Sequence, residues 1–348
     1  MFRLVAGGYS RNISKQLWGL QMTTALLFPG QGSQKLGMGQ ELANAFPAAK
    51  SWFERVDDAL SLPLSQLMWG DDEAALTDTA IAQPALLAVS LAVMAVWQQD
   101  FGLSLSQPTQ PSPTQQQRVS HVAGHSLGEY SALAAVGCLE WLDAARLVRL
   151  RGQLMQQAGV SKPGAMAALL GASAEDAAQL VQQAATAGIC VAANDNADGQ
   201  LVLSGEVAAL ELAGNLARAL PKVRWMPLNV SGAFHSPLMA GAADHLQQAL
   251  ATVTAADPVV PVVMNVTAQP CQSAAEVKTL LVQQLCHPVR WRETLLTLHQ
   301  QGVKTVIEVG SGRVLSGLAK RSGLDWQMRS AETPEEVAAV AQEFFGRG

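Results

Sequence analysis

The segment Gly124 to Gly128 reads G-H-S-L-G and separates a strand-like run, residues 119–123, from a helical pattern, residues 127–136. The two glycines permit a sharp strand-to-helix turn that lifts the hydroxyl of Ser126 above the end of a sheet. The N–H of Leu127, at the start of the helix, then faces any oxyanion formed there. The flanking strand and helix favour a nucleophilic serine over a glycine-rich turn with an idle serine. The segment therefore predicts a parallel α/β sheet with a site at its carboxyl edge.

Further strand and helix patterns support this fold class. Residues 25–28 form a buried strand-like run that ends in a glycine-rich loop. Residues 84–99 form an almost wholly apolar helical pattern, which we expect to begin at Pro84. A strand at 259–266 and a last strand at 305–309 complete the prediction.

In the middle of the chain the pattern changes to the order β-α-β-β-α-β. A helix there opens at Ser173, with Asp176 as its capping partner. This order is typical of a ferredoxin-like unit. We therefore predict a subdomain at 163–229, inserted into a discontinuous larger domain made of residues 22–162 and 230–340.

The composition excludes several classes of protein. With 348 residues, 49% apolar and 15% charged, the chain has material for about two packed domains and does not resemble a disordered protein. A formal charge of -5 gives no overall attraction for nucleic acid or an anionic membrane. The longest apolar run, residues 85–97, is shorter than the roughly 20 residues that span a bilayer. The four scattered cysteines fit neither a disulfide framework nor a zinc site, so we expect a reducing compartment.

The first acidic residue of the chain is Glu41, so residues 1–40 carry no negatively charged side chain. Organellar transit peptides share this bias. We favour instead the interpretation that Met22 is the real or an alternative start, because a strand-like run follows it at once. We expect residues 1–21 to be an extension without fixed structure. The prediction is a cytoplasmic protein, with an organellar location as the alternative if that extension is a transit peptide.

A nucleophilic serine needs a base, and six histidines are candidates. Three lie in strand or helix patterns that are typical of core or surface histidines: His121, His245 and His299. His125 directly precedes the serine, where adjacent side chains diverge, so we expect it to support the turn. His287 stays possible as a loop residue. His235 lies in a loop between the predicted subdomain and a new helix, where pockets form, and we favour it as general acid and base.

Arg151 falls on the apolar stripe of the helix predicted from Trp141 to Gln157. Arg146 and Arg149 fall on the polar face of the same helix and are predicted to be solvated charges. A buried arginine needs an anionic or strongly polar partner, and its planar fork suits a carboxylate. The residues alone leave a structural salt bridge and a clamp for a substrate carboxylate equally open.

Seven segments, in this order along the chain, resemble the malonyl-CoA:acyl carrier protein transacylase family, which includes the acyltransferase domains of fatty-acid and polyketide synthases. The segments are 28–34 (FPGQGSQ), 83–86 (QPAL), 124–133 (GHSLGEYSAL), 151–152 (RG), 164–166 (GAM), 233–236 (AFHS) and 308–310 (EVG). The resemblance runs from about Met22 to Arg321. It implies an α/β-hydrolase-like large domain with a parallel sheet, plus an inserted ferredoxin-like subdomain.

The resemblance also implies a reaction. The family transfers the malonyl group from malonyl-CoA to the phosphopantetheine thiol of acyl carrier protein, by a ping-pong route through a malonyl-serine, and so supplies fatty-acid synthesis. It implies Ser126 as the nucleophile, His235 as its base and Arg151 as the ligand of the malonyl carboxylate. No metal or redox cofactor is implied. The expected partners are malonyl-CoA and acyl carrier protein, and the enzyme itself is expected to be a monomer.

Further roles come with the same resemblance. The backbone N–H groups of Gln31 and Leu127 are implied as the oxyanion hole, and the main-chain carbonyl of Gln284 is implied to orient the histidine. Four residues are implied near the substrate: Met166, Asn194, Asn196 and Phe234. Three basic residues are candidates for docking the acidic carrier protein: Lys222, Arg224 and Lys320.

Two features depart from the family pattern. Ser311 stands where the family usually has proline, and the polar connector 104–117 is longer than is common. We expect neither to touch the site. Residues 1–21 have no family counterpart.

Three other functions stay open. A serine hydrolase or thioesterase would share the nucleophile turn, although Arg151 and the lack of a recognisable triad acid argue against it. A non-catalytic carrier-binding protein would keep the fold without forming an acyl-serine. The same transfer could also serve polyketide synthesis or malonate decarboxylation.

Overall fold

Strands and helices alternate along much of the chain in the computed structural model, which describes residues 22–103, 105 and 117–345. The strands are β1 (Met22–Phe28), β2 (Gln117–Gly124), β3 (Gly164–Leu170), β4 (Cys190–Ala197), β5 (Gln200–Glu206), β6 (Arg224–Pro227), β7 (Val262–Val263), β8 (Pro270–Cys271), β9 (Val303–Val309) and β10 (Gln327–Ala331). The helices are α1 (Gln40–Ala45), α2 (Pro47–Leu60), α3 (Leu64–Trp69), α4 (Glu73–Thr77), α5 (Thr79–Gln99), α6 (Gly128–Ala135), α7 (Trp141–Ser161), α8 (Ala174–Ala184), α9 (Val207–Ala217), α10 (Ala240–Thr252), α11 (Ala274–Gln284), α12 (Trp291–Gln300), α13 (Val314–Arg321) and α14 (Pro334–Phe345), with a 3-10 helix at Pro237–Met239. The predicted extension, residues 1–21, lies outside the described residues.

The larger sheet has the strand order β10-β9-β1-β2-β7-β8. Its strands pair in parallel from β10 to β7, and β8 runs antiparallel at the edge. Phe28 at the end of β1 lies opposite Gly124 at the end of β2, and Leu27 lies opposite Glu308 in β9. Because neighbouring parallel strands end at the same edge, the loops after β1, β2 and β9 meet there.

The smaller sheet is antiparallel, with the strand order β4-β5-β3-β6, and its elements follow the predicted β-α-β-β-α-β order. Its first helix, α8, begins with the predicted capping box between Ser173 and Asp176. Backbone hydrogen bonds also join β4 to the larger part of the fold. Asp195 N–H donates to the Val289 carbonyl at 3.0 Å, and Val289 N–H donates to the Ala193 carbonyl at 2.9 Å.

Helix α5 begins at Thr79, five residues before its predicted start at Pro84. Asp78 caps it by accepting from the N–H of Ala80 at 2.7 Å, so Pro84 lies inside the helix. Proline cannot donate to the carbonyl four residues earlier, that of Ala80. Arg149 in α7 donates to this carbonyl instead, and it is not the solvated charge that we predicted. By length and composition α5 could cross a membrane, but almost all of it is buried in the fold, as expected of a core helix.

Two predicted strands differ from the structure. The run 259–266 forms only the two residues of β7, because the backbone of Met264 is used in a turn. Its N–H donates to the Gln269 carbonyl at 3.1 Å and its carbonyl accepts from Ala268 N–H at 2.8 Å. The strand predicted at 305–309 is not the last, since β10 pairs with it in parallel. β10 is a half-exposed edge strand with few apolar residues, and such a strand lacks a hydrophobic pattern.

Candidate active site

Ser126 lies on the turn between β2 and α6, where its backbone adopts the left-handed conformation, with a φ of 51°. The neighbouring backbones approach so closely that only glycine fits. A Cβ at Gly128 would lie 2.0 Å from the carbonyl oxygen of Phe28, and one at Gly30 would lie 2.3 Å from that of His125. The end of β1 is thus pressed against the turn, and Ser126 remains partly exposed. This is the strand-turn-helix arrangement predicted for the G-H-S-L-G segment.

His235 reaches Ser126 from the loop after β6. Its Nδ1 lies 2.7 Å from the main-chain carbonyl oxygen of Gln284, and since a carbonyl only accepts, Nδ1 carries the proton. Nε2 lies 2.8 Å from Ser126 Oγ and accepts the hydroxyl hydrogen. Burial of the ring, followed by the positive charge of Arg151, lowers the pKa of His235 to about 3, so the imidazole is neutral at pH 7. His287, the alternative base, is exposed and bonds to a main-chain carbonyl of α11 instead.

Arg151 is 1% exposed, and its guanidinium lies against the nucleophile. Nη2 donates to Ser126 Oγ at 3.0 Å and to Gln284 Oε1 at 2.9 Å, and Nη1 donates to Gln83 Oε1 at 2.8 Å. Nε is buried without a hydrogen-bond partner among the described residues. Gly152 lets α7 approach α5, because a Cβ there would lie 2.6 Å from a carbonyl oxygen in the first turn of α5. This approach brings Gln83 within reach of the arginine.

The structural salt bridge that the sequence left open for Arg151 is not formed. Across residues 22–103, 105 and 117–345, no carboxylate pairs with this guanidinium. Its polar partners there are amide oxygens and the serine hydroxyl. Burial lowers the pKa of Arg151 from its usual value, but a guanidinium stays charged in proteins. The site therefore holds a buried positive charge beside the hydroxyl of Ser126.

Asn265, in the loop after β7, supports the nucleophile turn and was not predicted. Its Oδ1 accepts from Ser126 N–H at 2.7 Å, and its Nδ2 donates to the Gly124 carbonyl at 2.7 Å. The side chain is fully buried. Because 139 positions separate Asn265 from Ser126, no local sequence pattern connects them.

Glu129 is a second supporting residue that was not predicted. Its carboxyl accepts from Asn265 N–H at 2.5 Å and from Gln284 Nε2 at 2.6 Å. Burial raises the pKa of Glu129 to about 8, against the opposing effects of these two donors and of Arg151. The available signal was a carboxyl directly after the G-H-S-L-G segment, in a helix otherwise made of small and apolar residues.

Asn265→Ala is expected to lower the free energy of unfolding by about 2 to 4 kcal/mol, because two backbone groups of the turn, one of them fully buried, lose their partner. Urea unfolding followed by tryptophan fluorescence measures the change. Asn229→Ala, at an exposed loop position, is the matched control and should stay within about 0.5 kcal/mol of the unaltered protein. A loss for Asn265→Ala as small as that of the control would contradict the supporting role.

The loop after β1 carries Gln31, whose backbone N–H is one of the two predicted oxyanion donors, and Gly30 of this loop packs against the backbone of His125. Within the described part of the chain, the N–H groups of Gln31 and Leu127 donate to no other group. Gln31 Nε2 donates to Thr79 Oγ1 at 3.1 Å, which fastens the loop to α5. Ser311 Oγ donates to the main-chain carbonyl of Ser33 at 2.9 Å. Ser311 therefore contacts the loop that carries Gln31, but its recorded partners in the described residues, Ser33 and Glu332, are not predicted site residues. That Ser311 does not touch the site stays a prediction, and the connector 104–117 lies almost entirely outside the described residues.

The four residues predicted to lie near the substrate are found in different parts of the fold. Asn196 Oδ1 accepts from His125 Nε2 at 2.7 Å, so His125 supports the turn as predicted. Asn194 is buried in β4, and Phe234 is buried in the main core. Met166 in β3 lines a cavity of about 430 Å³ together with α9, and none of the catalytic groups described above lines it. Contact of these residues with a substrate stays a prediction.

The three predicted carrier-docking residues lie at the protein surface. The basic residues Lys222, Arg224 and Lys320 are exposed, and their contact with a carrier protein stays a prediction. The described residues contain no group of three or more His, Cys, Asp and Glu side chains that could hold a metal ion.

Comparison with known proteins gives one consistent family. The family described as acyl transferase domain matches residues 25–333. A relative from Bacillus subtilis named malonyl CoA-acyl carrier protein transacylase is 42% identical over 319 residues, which cover 91% of this chain and 96% of the relative. The crystal structure of an acyl-carrier-protein-S-malonyltransferase from Bartonella henselae has a TM-score of 0.86 and 44% identity, and the match covers 93% of this chain and 99% of that one. A type II polyketide synthase acyl carrier protein in complex with its malonyl-transacylase gives a TM-score of 0.84 and 38% identity, over 92% of this chain and 99% of that one.

Proposed function

This chain belongs to the acyl transferase domain family, and on that premise we propose that it transfers a malonyl group from malonyl-CoA to the phosphopantetheine thiol of acyl carrier protein, through a malonyl ester of Ser126. The observation that carries the proposal is the position of one hydroxyl. Ser126 Oγ lies 2.8 Å from His235 Nε2 and 3.0 Å from Arg151 Nη2. A neutral base can activate the hydroxyl, while the buried cation fits an acyl group that ends in a carboxylate. The product supplies fatty-acid synthesis.

The first half-reaction acylates the serine. Ser126 Oγ attacks the carbonyl carbon of the thioester while its proton passes to Nε2 of His235. The oxyanion of the tetrahedral intermediate accepts from the N–H groups of Gln31 and Leu127. The C–S bond then breaks, and the CoA thiolate leaves with the proton from His235. The Gln284 carbonyl accepts from Nδ1 throughout, so the imidazole keeps the orientation that each proton transfer needs.

The second half-reaction reverses these roles. The phosphopantetheine thiol gives its proton to Nε2 of His235, and the thiolate attacks the ester carbonyl at Ser126. The second tetrahedral intermediate collapses by breaking the ester bond, and Ser126 Oγ takes the proton back. The malonyl group leaves on the carrier as a thioester, and the enzyme returns to its starting protonation state.

Arg151 supports selectivity for malonyl over uncharged acyl groups. Its Nε has no partner in the described part of the chain, and the acceptor of its Nη2 at Ser126 becomes a weakly accepting ester oxygen once that oxygen is acylated. Nε and Nη2 share one edge of the guanidinium, so a single carboxylate can accept from both. An acetyl group offers no such acceptor and leaves the buried cation short of partners.

Acyl-serine formation is expected to be nearly independent of pH between about pH 5 and pH 7. His235, whose pKa is lowered to about 3 by burial and then by the charge of Arg151, stays neutral over this range. Glu129, with a pKa of about 8, keeps its proton over the same range. A histidine with a pKa near 6.5 would by contrast be neutral in only about one ring in thirty at pH 5.

Single-turnover rates of acyl-serine formation from malonyl-CoA measure this pH profile. Tryptophan fluorescence at each pH shows that the fold is intact. A rate that falls toward low pH with a midpoint near pH 6.5 would contradict this expectation. It would show that His235 titrates as an exposed histidine and is not buried during the reaction.

We also propose a finer description of the fold and the setting. The larger part corresponds to an α/β-hydrolase-like domain of residues 22–162 and 230–340, and residues 163–229 to a ferredoxin-like subdomain. The strand order β4-β5-β3-β6, with α8 and α9 sharing its core, supports the second assignment. A monomeric state, a cytoplasmic location and the absence of a metal or redox cofactor stay predictions.

The test of the function is incubation with malonyl-CoA, followed by peptide mass mapping of Ser126 and then by addition of holo acyl carrier protein. The expected result is a malonyl adduct on Ser126 that moves to the carrier. Rapid release of free malonate, without transfer, would favour a serine hydrolase. Binding of the carrier without any adduct would favour a non-catalytic protein.

A further inference from the structure

Arg151 differs from the ion-paired arginines of the described chain. Five arginines pair with carboxylates, and each of them is partly exposed: Arg146, Arg290, Arg292, Arg313 and Arg329. Arg151 is 1% exposed and pairs with no carboxylate among the described residues. A buried charge without an opposite charge is costly. The stability of the fold therefore does not explain why Arg151 lacks a carboxylate partner among the described residues.

Two neutral side chains occupy the places where a carboxylate could pair with Arg151. Gln83 Oε1 accepts from Nη1 at 2.8 Å, and Gln284 Oε1 accepts from Nη2 at 2.9 Å. Both glutamines are themselves buried. Gln284 also separates the arginine from a buried carboxyl, since its Nε2 donates to Glu129 at 2.6 Å. The two amide oxygens thus accept hydrogen bonds from the guanidinium without neutralising its charge.

Of the two glutamines, Gln83 has the simpler surroundings. Among the described residues its side chain accepts from Arg151 and otherwise bonds only by donating to Met155 Sδ at 3.3 Å, and a thioether is a weak acceptor. Gln284 donates in addition to the Ser126 carbonyl and to Glu129. A glutamate at position 83 would keep the shape and change little besides the charge.

We propose that Gln83 is a specificity-determining residue, which holds Arg151 through an uncharged acceptor and so leaves the positive charge of the guanidinium for the carboxylate of the acyl group. This inference rests on the proposed function. A carboxylate at position 83 would be a permanent internal partner of Nη1. It would compete with the substrate carboxylate for the same cation and repel it.

Gln83→Glu is the principal test, with acyl-serine formation from malonyl-CoA and from acetyl-CoA measured separately on the full chain. The expected result is a fall in malonyl loading at least about tenfold greater than the fall in acetyl loading, because only the malonyl group carries the charge that the new carboxylate opposes. A merely structural role of Gln83 would lower both rates by the same factor. Retention of the malonyl-to-acetyl preference in Gln83→Glu would overturn the proposal.

Gln83→Met is the matched variant, with a similar length and no charge. It loosens the hold on Arg151 but leaves its charge uncompensated, so the malonyl-to-acetyl preference should stay within about threefold of that of the unaltered protein. Loss of the preference in Gln83→Met would overturn the proposal, and this result decides alone if Gln83→Glu does not fold by circular dichroism. A failure of the proposed function is distinguishable, because the unaltered protein would then form no malonyl-serine.

Discussion

Ser126→Ala is expected to abolish the acyl-enzyme and to lower malonyl transfer by at least about 10,000-fold. In the proposed mechanism this hydroxyl bonds to the acyl carbon, and among the described residues no other hydroxyl or thiol lies within hydrogen-bond distance of His235 Nε2. The alanine variant keeps the turn, because the bond from the residue-126 N–H to Asn265 does not use the side chain. The loss is therefore expected without a loss of folding.

The measurement is the mass of the protein after incubation with malonyl-CoA, together with the rate of malonyl transfer to holo carrier protein. Ser161→Ala, at an exposed position near the end of α7, is the matched control and should behave as the unaltered protein. Malonyl transfer by Ser126→Ala at the rate of the unaltered protein would contradict the assignment of Ser126 as the nucleophile.

Arg151→Ala is expected to weaken malonyl loading selectively. Removing one partner of a buried, hydrogen-bonded charge pair costs about 2 to 5 kcal/mol, which corresponds to roughly 30-fold to 5,000-fold in rate when the pair forms in the transition state. Acetyl loading should fall far less, because the acetyl group makes no bond to the guanidinium. The preference for malonyl over acetyl is thus expected to collapse.

Single-turnover loading from malonyl-CoA and acetyl-CoA gives this ratio directly. Arg146→Ala is the control on the same helix, since Arg146 is exposed and its one ion pair within the described part of the chain is with Asp143, three residues away. Equal losses of malonyl and acetyl loading in Arg151→Ala would show that the arginine maintains the fold rather than the selectivity.

Some of the site was predictable because it is encoded locally. Ser126 and the supporting role of His125 follow from a strand, a glycine turn and a helix that are contiguous in the chain. Arg151 was noticeable because helical periodicity places a charge on an apolar stripe, and its burial was confirmed. Whether Arg151 forms a structural salt bridge could not be decided from that stripe, since it depends on which side chains of other elements face the guanidinium.

The rest of the site depends on contacts between distant parts of the chain. Asn265 holds the nucleophile turn across 139 positions, and Ser311 holds the carbonyl of Ser33 across 278 positions. The spacing of apolar and polar residues along the sequence does not indicate such contacts. The start of α5 was wrong for a similar reason: the carbonyl left free by Pro84 is satisfied by Arg149 from another helix, which makes a proline tolerable inside the helix.

Both residues that we propose exchange the proton have left-handed backbones, with φ of 51° at Ser126 and 56° at His235. For a residue with a Cβ this conformation costs roughly 1 to 2 kcal/mol, and glycine avoids the cost. A glycine at either position would remove the strain and the reacting group together. Selection for a stable fold and selection for activity therefore act in opposite directions at these two positions.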